Sequence, residues 1–162
     1  WANPFTSGYQ LTQALIAFGR GGLWGAGLGN GIQKLLYLPE AHTDFIFAVT
    51  VEELGAIGGT VLLLLYAIWL FNIMRLGKQA LGYRLRFHGF ICYGIGLWMG
   101  TQTLINLGVN MGLLPTKGLT LPLMSYGGSS LLIVMVSMGI LTSIHREVHQ
   151  EHISRFGEET RR

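Results

Sequence analysis

Leu54-Gly-Ala-Ile-Gly-Gly-Thr-Val-Leu-Leu-Leu-Leu-Tyr-Ala-Ile-Trp-Leu-Phe-Asn72 carries no ionisable side chain except one tyrosine, and the apolar run continues through Ile73 and Met74 to Arg75. About 20 such residues in a helix span the hydrocarbon core of a bilayer. Two more runs follow. Between Phe87 and Thr116 only His88 titrates in the usual range, tyrosines and Cys92 aside, and between Gly118 and Ile144 there is nothing ionisable but tyrosine. The three runs predict an all-α polytopic membrane protein with transmembrane helices near 45–74, 87–112 and 127–145.

Composition points the same way. Half of the residues are hydrophobic and only 12% are charged, against roughly a quarter charged in soluble domains. Arg75, Lys78, Arg84 and Arg86 fill the 75–86 connection with no acid among them, and an excess of Lys and Arg marks cytoplasmic loops. That connection is therefore placed inside. Residues 1–44 become an extracytoplasmic segment, 113–126 an outer loop shaped by Pro115 and Pro122, and 146–162 a cytoplasmic tail. In the tail, Arg146, Arg155, Arg161 and Arg162 are offset by Glu147, Glu151, Glu158 and Glu159. With no apolar stripe evident, a partly helical or disordered end is expected there. The net charge of +3 follows from the inner loops and gives no sign of nucleic-acid binding. Cys92 is the lone cysteine, inside a predicted helix, so no intrachain disulfide is available. A start at Trp1 without a leader pattern, and an odd number of crossings, suit the C-terminal part of a larger bundle.

The 24 glycines divide into two sets. Gly55 and Gly59, Gly96 and Gly100, and Gly108 and Gly112 lie within predicted spans at a spacing that lets helix backbones approach, so they read as packing. The cluster Gly19-Arg-Gly-Gly-Leu-Trp-Gly-Ala-Gly-Leu-Gly-Asn-Gly31 never forms the dinucleotide-binding spacing and follows no strand. It reads as a tight, re-entrant or interfacial segment with Phe18 and Trp24 as headgroup anchors, preceded by a short helix over Tyr9 to Phe18 lying on the membrane.

Tyr37-Leu-Pro-Glu-Ala-His-Thr-Asp-Phe-Ile-Phe47 places Asp44 where polar loop turns into apolar helix. A carboxylate at such a mouth tends to face a cavity or a substrate path. Alternatively Thr43 or Asp44 caps the following helix, and on position alone the cap is the stronger reading. On one continuous helix Asp44 and Glu52 would stand about 12 Å apart along the axis, with Glu53 on the opposite side. Paired-carboxylate glycosidases need roughly 5–9.5 Å, so Asp44 would act alone. A single base suffices when the leaving group is a diphosphate whose charge is neutralised by cations. Lys117, Arg20 and Lys34 are the outer-side cations for that role, although Arg20 and Lys34 serve at least as well as snorkelling residues. His42 could bond Asp44 or a phosphate, or simply be solvated, and no metal-ligand spacing is present. Glu52 and Glu53 are costly in a membrane and read first as partners of polar groups on helices absent from this chain.

At these residues a family resemblance emerges. Gly8-Tyr-Gln-Leu-Thr-Gln13, Ala17-Phe-Gly-Arg-Gly21, Gln33-Lys-Leu-Leu-Tyr-Leu-Pro-Glu-Ala-His-Thr-Asp-Phe-Ile-Phe-Ala48, Glu52-Glu-Leu-Gly55 and Leu114-Pro-Thr-Lys-Gly-Leu-Thr-Leu-Pro-Leu-Met-Ser-Tyr-Gly-Gly-Ser-Ser130 closely resemble the SEDS family of bacterial cell-wall polymerases, from about Trp1 to Ile144. Glu40-Ala-His42 and Pro115-Thr-Lys-Gly118 are similar to its cell-division branch, with the rod-elongation branch as the alternative.

The resemblance implies a peptidoglycan glycosyltransferase of the bacterial inner membrane, at the division septum, that polymerises lipid II (undecaprenyl-diphosphate disaccharide-pentapeptide). It implies Asp44 as catalytic base and Lys117 as diphosphate ligand, with Arg20, Gln33, Lys34, His42, Ser125 and Tyr126 as further substrate contacts. Implied partners are a class B penicillin-binding transpeptidase and other division proteins. A divalent cation, Mg or Mn, would fit the diphosphate, although no ligand cluster calls for one. The competing reading is a lipid II flippase, for which Thr101, Gln102, Asn106 and Ser137 supply polar groups within the helices.

Overall fold

The computed structural model describes residues 7–31, 44–115 and 118–159, with side chains over 11–31, 44–115 and 118–154. Among these residues the chain forms helices alone: α1 (Ser7–Gly21), α2 (Ile46–Gly82), α3 (Arg86–Asn110) and α4 (Gly128–Glu159). The all-α membrane architecture expected from sequence is therefore found. Two helices of the described residues, 46–82 and 128–154, are long and apolar enough to cross a bilayer. The expectation was three. Helix α3 is 25 residues long, but His88, Gln102, Asn106 and Asn110 make it less apolar. An outward belt of Leu64, Leu65, Ile68, Phe71, Leu132, Met135 and Val136 is exposed on α2 and α4, as a surface solvated by lipid requires.

The helices outrun the expected spans at the ends away from Asp44. Helix α2 continues past Arg75 and Lys78 to Gly82, reducing the 75–86 connection to residues 83–85. Straight-chain basic residues favour helix, and the backbone needs no break at headgroup depth. Helix α4 likewise runs through the expected 146–162 tail to Glu159. Val148 is buried there in a cluster with Ile73, Leu76, Ala80, Cys92, Met99 and Ile144, against which Tyr83 and Leu85 pack. His88 Nε2 lies 2.9 Å from Glu147 Oε2. The tail thus does possess a short apolar face, and the 83–85 turn supplies what covers it.

The glycine-rich segment is built around a break in α2. Gly55 takes φ 75° and ψ −177° inside that helix, a conformation essentially restricted to glycine. In an unbroken helix the N–H groups of Ala56 and Ile57 would bond the carbonyls of Glu52 and Glu53. Here the 22–27 loop enters between them. Ala26 and Gly27 donate to the Glu52 and Glu53 carbonyls at 2.9 and 3.1 Å, and Ala56 and Ile57 donate to Gly22 and Leu23 at 2.9 and 3.4 Å. All four orphaned groups are re-bonded, as a break in a membrane helix demands. The approach is close enough that a Cβ on Gly25 would stand 2.2 Å from the Glu53 carbonyl oxygen.

Gly55 is therefore a helix break and not the helix–helix contact expected of it. Gly108 and Gly112 also depart from the packing expectation. Gly112, at φ 75°, ends α3, with Leu113 N–H bonded to Gly108 O at 2.8 Å and Gly112 N–H to Val109 O at 3.1 Å, a Schellman termination. Gly96 and Gly100 do face α2, at Ile73, Met74 and Leu70. Helix α1 is longer than the expected Tyr9–Phe18 and is docked: Ala14 and Ala17 pack with Phe45, Ala48 and Val109. Phe18 belongs to that contact, its ring 5.9 Å from Phe47, so it is a packing residue and not a headgroup anchor. Trp24 is exposed.

Candidate active site

Asp44 stands two residues before the first turn of α2. The N-cap position falls to Phe45, which makes no side-chain cap bond; Thr43, weighed with Asp44 as a cap, lies outside the described residues, and one first-turn N–H finds an acceptor outside the helix. Asn110, at the end of α3, supplies it from across the helix pair. Its Oδ1 accepts the N–H of Ala48 at 3.3 Å, the third residue of α2 and a donor that helix termini leave without an intrahelical partner. The Nδ2 of the same amide donates to the Asp44 carbonyl at 2.9 Å.

One turn earlier on α3, Asn106 Nδ2 also donates to the Asp44 carbonyl, at 3.0 Å, and to the Leu119 carbonyl at 2.5 Å. One further turn back, Gln102 Nε2 donates to the Thr120 carbonyl at 2.9 Å. Asn106 and Asn110 are 1% and 0% exposed. Three amides at helical spacing therefore tie two separate segments to one face of α3.

The second of these segments, the loop after Pro115, is held from α2, α3 and α4. Thr120 Oγ1 lies 2.9 Å from Ser130 Oγ on α4. The Tyr66 hydroxyl on α2 donates to the Pro122 carbonyl, and Ser125 Oγ accepts the Leu121 N–H at 2.7 Å. This clamping brings Gly118 against Asp44, where an added Cβ would sit 3.0 Å from Asp44 Oδ2. The carboxylate thus lies beside the residue that follows Lys117. Beside it, Ile46, Leu123, Tyr126 and Leu131 line an open, largely apolar cavity of about 520 Å³.

The sequence-predicted residues sort as follows. Asp44, Ser125 and Tyr126 gather at this end of the helices, with Ser125 bracing its loop and Tyr126 exposed on the cavity. Arg20 lies elsewhere: its Nε is 3.9 Å from Oε1 of Glu52, which is 0% exposed, at the break in α2. Glu52 thus finds within this chain the polar partner that was expected on other helices. Both Glu52 and Glu53 approach Gly31, where an added Cβ would meet their carboxylate oxygens at 3.2 and 2.9 Å. Gln33, Lys34, His42 and Lys117 lie outside the described residues. Among the described residues no three His, Cys, Asp or Glu side chains gather to hold a metal ion. Asn110 went unnoticed in the sequence; its spacing of four from Asn106 and eight from Gln102 was the available signal.

The FtsW/RodA/SpoVE cell cycle protein family matches residues 1–150. A protein of Methylococcus capsulatus named "Probable peptidoglycan glycosyltransferase FtsW" is 57% identical over 147 residues, 91% of this chain and 37% of that protein. One of the same name from Escherichia coli O157:H7 is 55% identical over 156 residues, 96% of this chain and 38% of its own. Among solved structures, a chain described under "Structural coordination of polymerization and crosslinking by a peptidoglycan synthase complex" superposes with TM-score 0.67 at 33% identity, covering 86% of this chain and 38% of that one. The rod shape determining protein RodA of Thermus thermophilus, as an aspartate-to-alanine variant, superposes with TM-score 0.57 at 38% identity, covering 83% and 39%. The chain spans less than half the length of each of these proteins. Matched along nearly all of its own length, it belongs to the FtsW/RodA/SpoVE family of cell cycle proteins.

Proposed function

We propose that this chain forms part of a membrane peptidoglycan glycosyltransferase that polymerises lipid II during septal wall synthesis, with Asp44 as general base. The observation that carries the reading is the placement of the Asp44 carboxylate at the N-terminal mouth of α2, against Gly118, with its main chain held by Asn106 and Asn110. In the proposed step Asp44 takes the proton from the acceptor sugar hydroxyl. That oxygen forms a bond to the anomeric carbon of the growing chain, and the bond from that carbon to undecaprenyl diphosphate breaks with the electron pair leaving on the diphosphate. A positioned base of this kind contributes about 10²–10⁴-fold.

Lys117, one residue from Gly118, is the proposed counter-charge for the departing diphosphate. Gln33, Lys34 and His42, in the segment leading to Asp44, are proposed substrate contacts. Arg20 is withdrawn from that set in favour of its pairing with Glu52. The apolar cavity beside Tyr126 suits the isoprenoid stem. A divalent cation would supply charge neutralisation at the diphosphate, held there by the substrate's own oxygens, since no three His, Cys, Asp or Glu side chains gather among the described residues. A class B penicillin-binding transpeptidase is the proposed partner, as a chain resembling this one comes from a peptidoglycan synthase complex.

The flippase alternative draws no support from the helices' polar groups. Thr101 and Ser137 donate to carbonyls four residues back, and Gln102 and Asn106 are engaged with the outer loop. The test is Asp44→Asn in the full-length protein, purified with its transpeptidase partner and offered labelled lipid II. The amide keeps the shape and loses the base, so no glycan polymer is expected. Polymer at the native rate would end the proposal.

A further inference from the structure

We infer that Gln102, Asn106 and Asn110 are positioning residues that set the spacing between the Asp44 base and the Gly118–Thr120 loop, an inference that rests on the glycosyltransferase reading above. The key group is the Asn106 amide. Its one nitrogen has two hydrogens, and its two partners are the carbonyl of Asp44 and the carbonyl of Leu119. Both facing groups are acceptors, so the nitrogen end of the amide is fixed toward them. A single buried side chain thereby joins the segment bearing the base to the segment two residues beyond Lys117.

Its neighbours divide the work. Asn110 bonds the Asp44 side, through the Asp44 carbonyl and the Ala48 N–H, and its Nδ2 also braces Asn106, at the carbonyl and Oδ1, 2.9 and 3.2 Å away. Gln102 touches the loop side only, through the Thr120 carbonyl. All three project from α3, and a helix holds such groups more rigidly than a loop can. Asn106 and Asn110 contact the main chain of Asp44, so they act on where the carboxylate stands.

The division predicts a pattern that general loss of structure would not produce. Initial rates are measured over a range of lipid II concentrations with the full-length protein and its transpeptidase partner. Asn110→Ala, which frees the base, should lower kcat by about 10-fold to 100-fold at nearly native KM, the scale of an ångström-level misplacement. Gln102→Leu, which frees only the loop, should raise KM roughly 5-fold, the worth of one hydrogen bond, at nearly native kcat. Asn106→Asp, equal in size but without the two donors, should do both. If Asn110→Ala fails to fold, Asn110→Asp keeps an acceptor for Ala48 N–H, loses the donors to Asp44, and should give the same kcat loss.

Uniform losses in kcat across the three positions at unchanged KM, or native kinetics in all, would overturn the inference. Asp44→Asn in the same assay separates the two proposals. An inactive Asp44→Asn beside native ladder variants refutes the spacing role alone, and an active Asp44→Asn refutes the base and the spacing role together.

Discussion

Replacing Gly55 by alanine tests whether the break in α2 is held by the glycine-rich loop. Gly55 lies at φ 75° and ψ −177°, where a residue with a side chain costs about 1–3 kcal/mol. An alanine Cβ would also stand 2.3 Å from the Leu23 carbonyl oxygen and 2.5 Å from the Gly25 nitrogen. Both are main-chain atoms, so relief requires the 22–27 loop to withdraw. Withdrawal puts at risk the bonds of Ala26 and Gly27 to Glu52 and Glu53 and of Ala56 and Ile57 to Gly22 and Leu23, each worth about 1 kcal/mol net. With half of them lost, the total is about 3–5 kcal/mol. At 2–4 °C per kcal/mol for a chain of this size, Tm should fall by about 6–20 °C. The assay is thermal unfolding in detergent, followed by tryptophan fluorescence. Gly94→Ala is the control: its Cβ meets nothing within 4 Å on α3, and alanine there should be neutral or stabilising by up to about 1 kcal/mol. Equal melting of the two variants would refute the account of the break.

Two further outcomes follow from the outer site and the basic turn. Lys117→Ala should slow lipid II polymerisation by about 10-fold to 150-fold, the loss of one hydrogen bond to a charged group, and Lys117→Arg should recover part of it; near-native rates in Lys117→Ala would remove the diphosphate role. A cysteine at Gly82, beside Arg84 and Arg86, should resist a membrane-impermeant thiol reagent in intact cells, whereas one at the exposed Leu113 should react. The reverse labelling would place Asp44 on the cytoplasmic side.

By itself the sequence determined the membrane class, the helices and the candidate base. Those features are local: an uncharged run such as Leu54–Asn72 has one low-energy environment, and Asp44 is conspicuous at its mouth. The family motifs were also contiguous in the chain, and so were legible. Only the tertiary structure decided what the glycines and amides do. Gly55 matches a small-residue packing spacing as well as a break, and the difference depends on Gly22 to Gly27 arriving from another part of the chain to bond the opened backbone. Gln102 and Asn106 read equally as path-lining groups or braces until Leu119 and Thr120 are folded onto them. Local capping rules direct attention to Thr43 and Asp44, yet one first-turn N–H of α2, that of Ala48, finds its oxygen on Asn110, 62 positions away. A buried polar group is defined by its partner, and a partner distant in sequence becomes visible only when the helices pack.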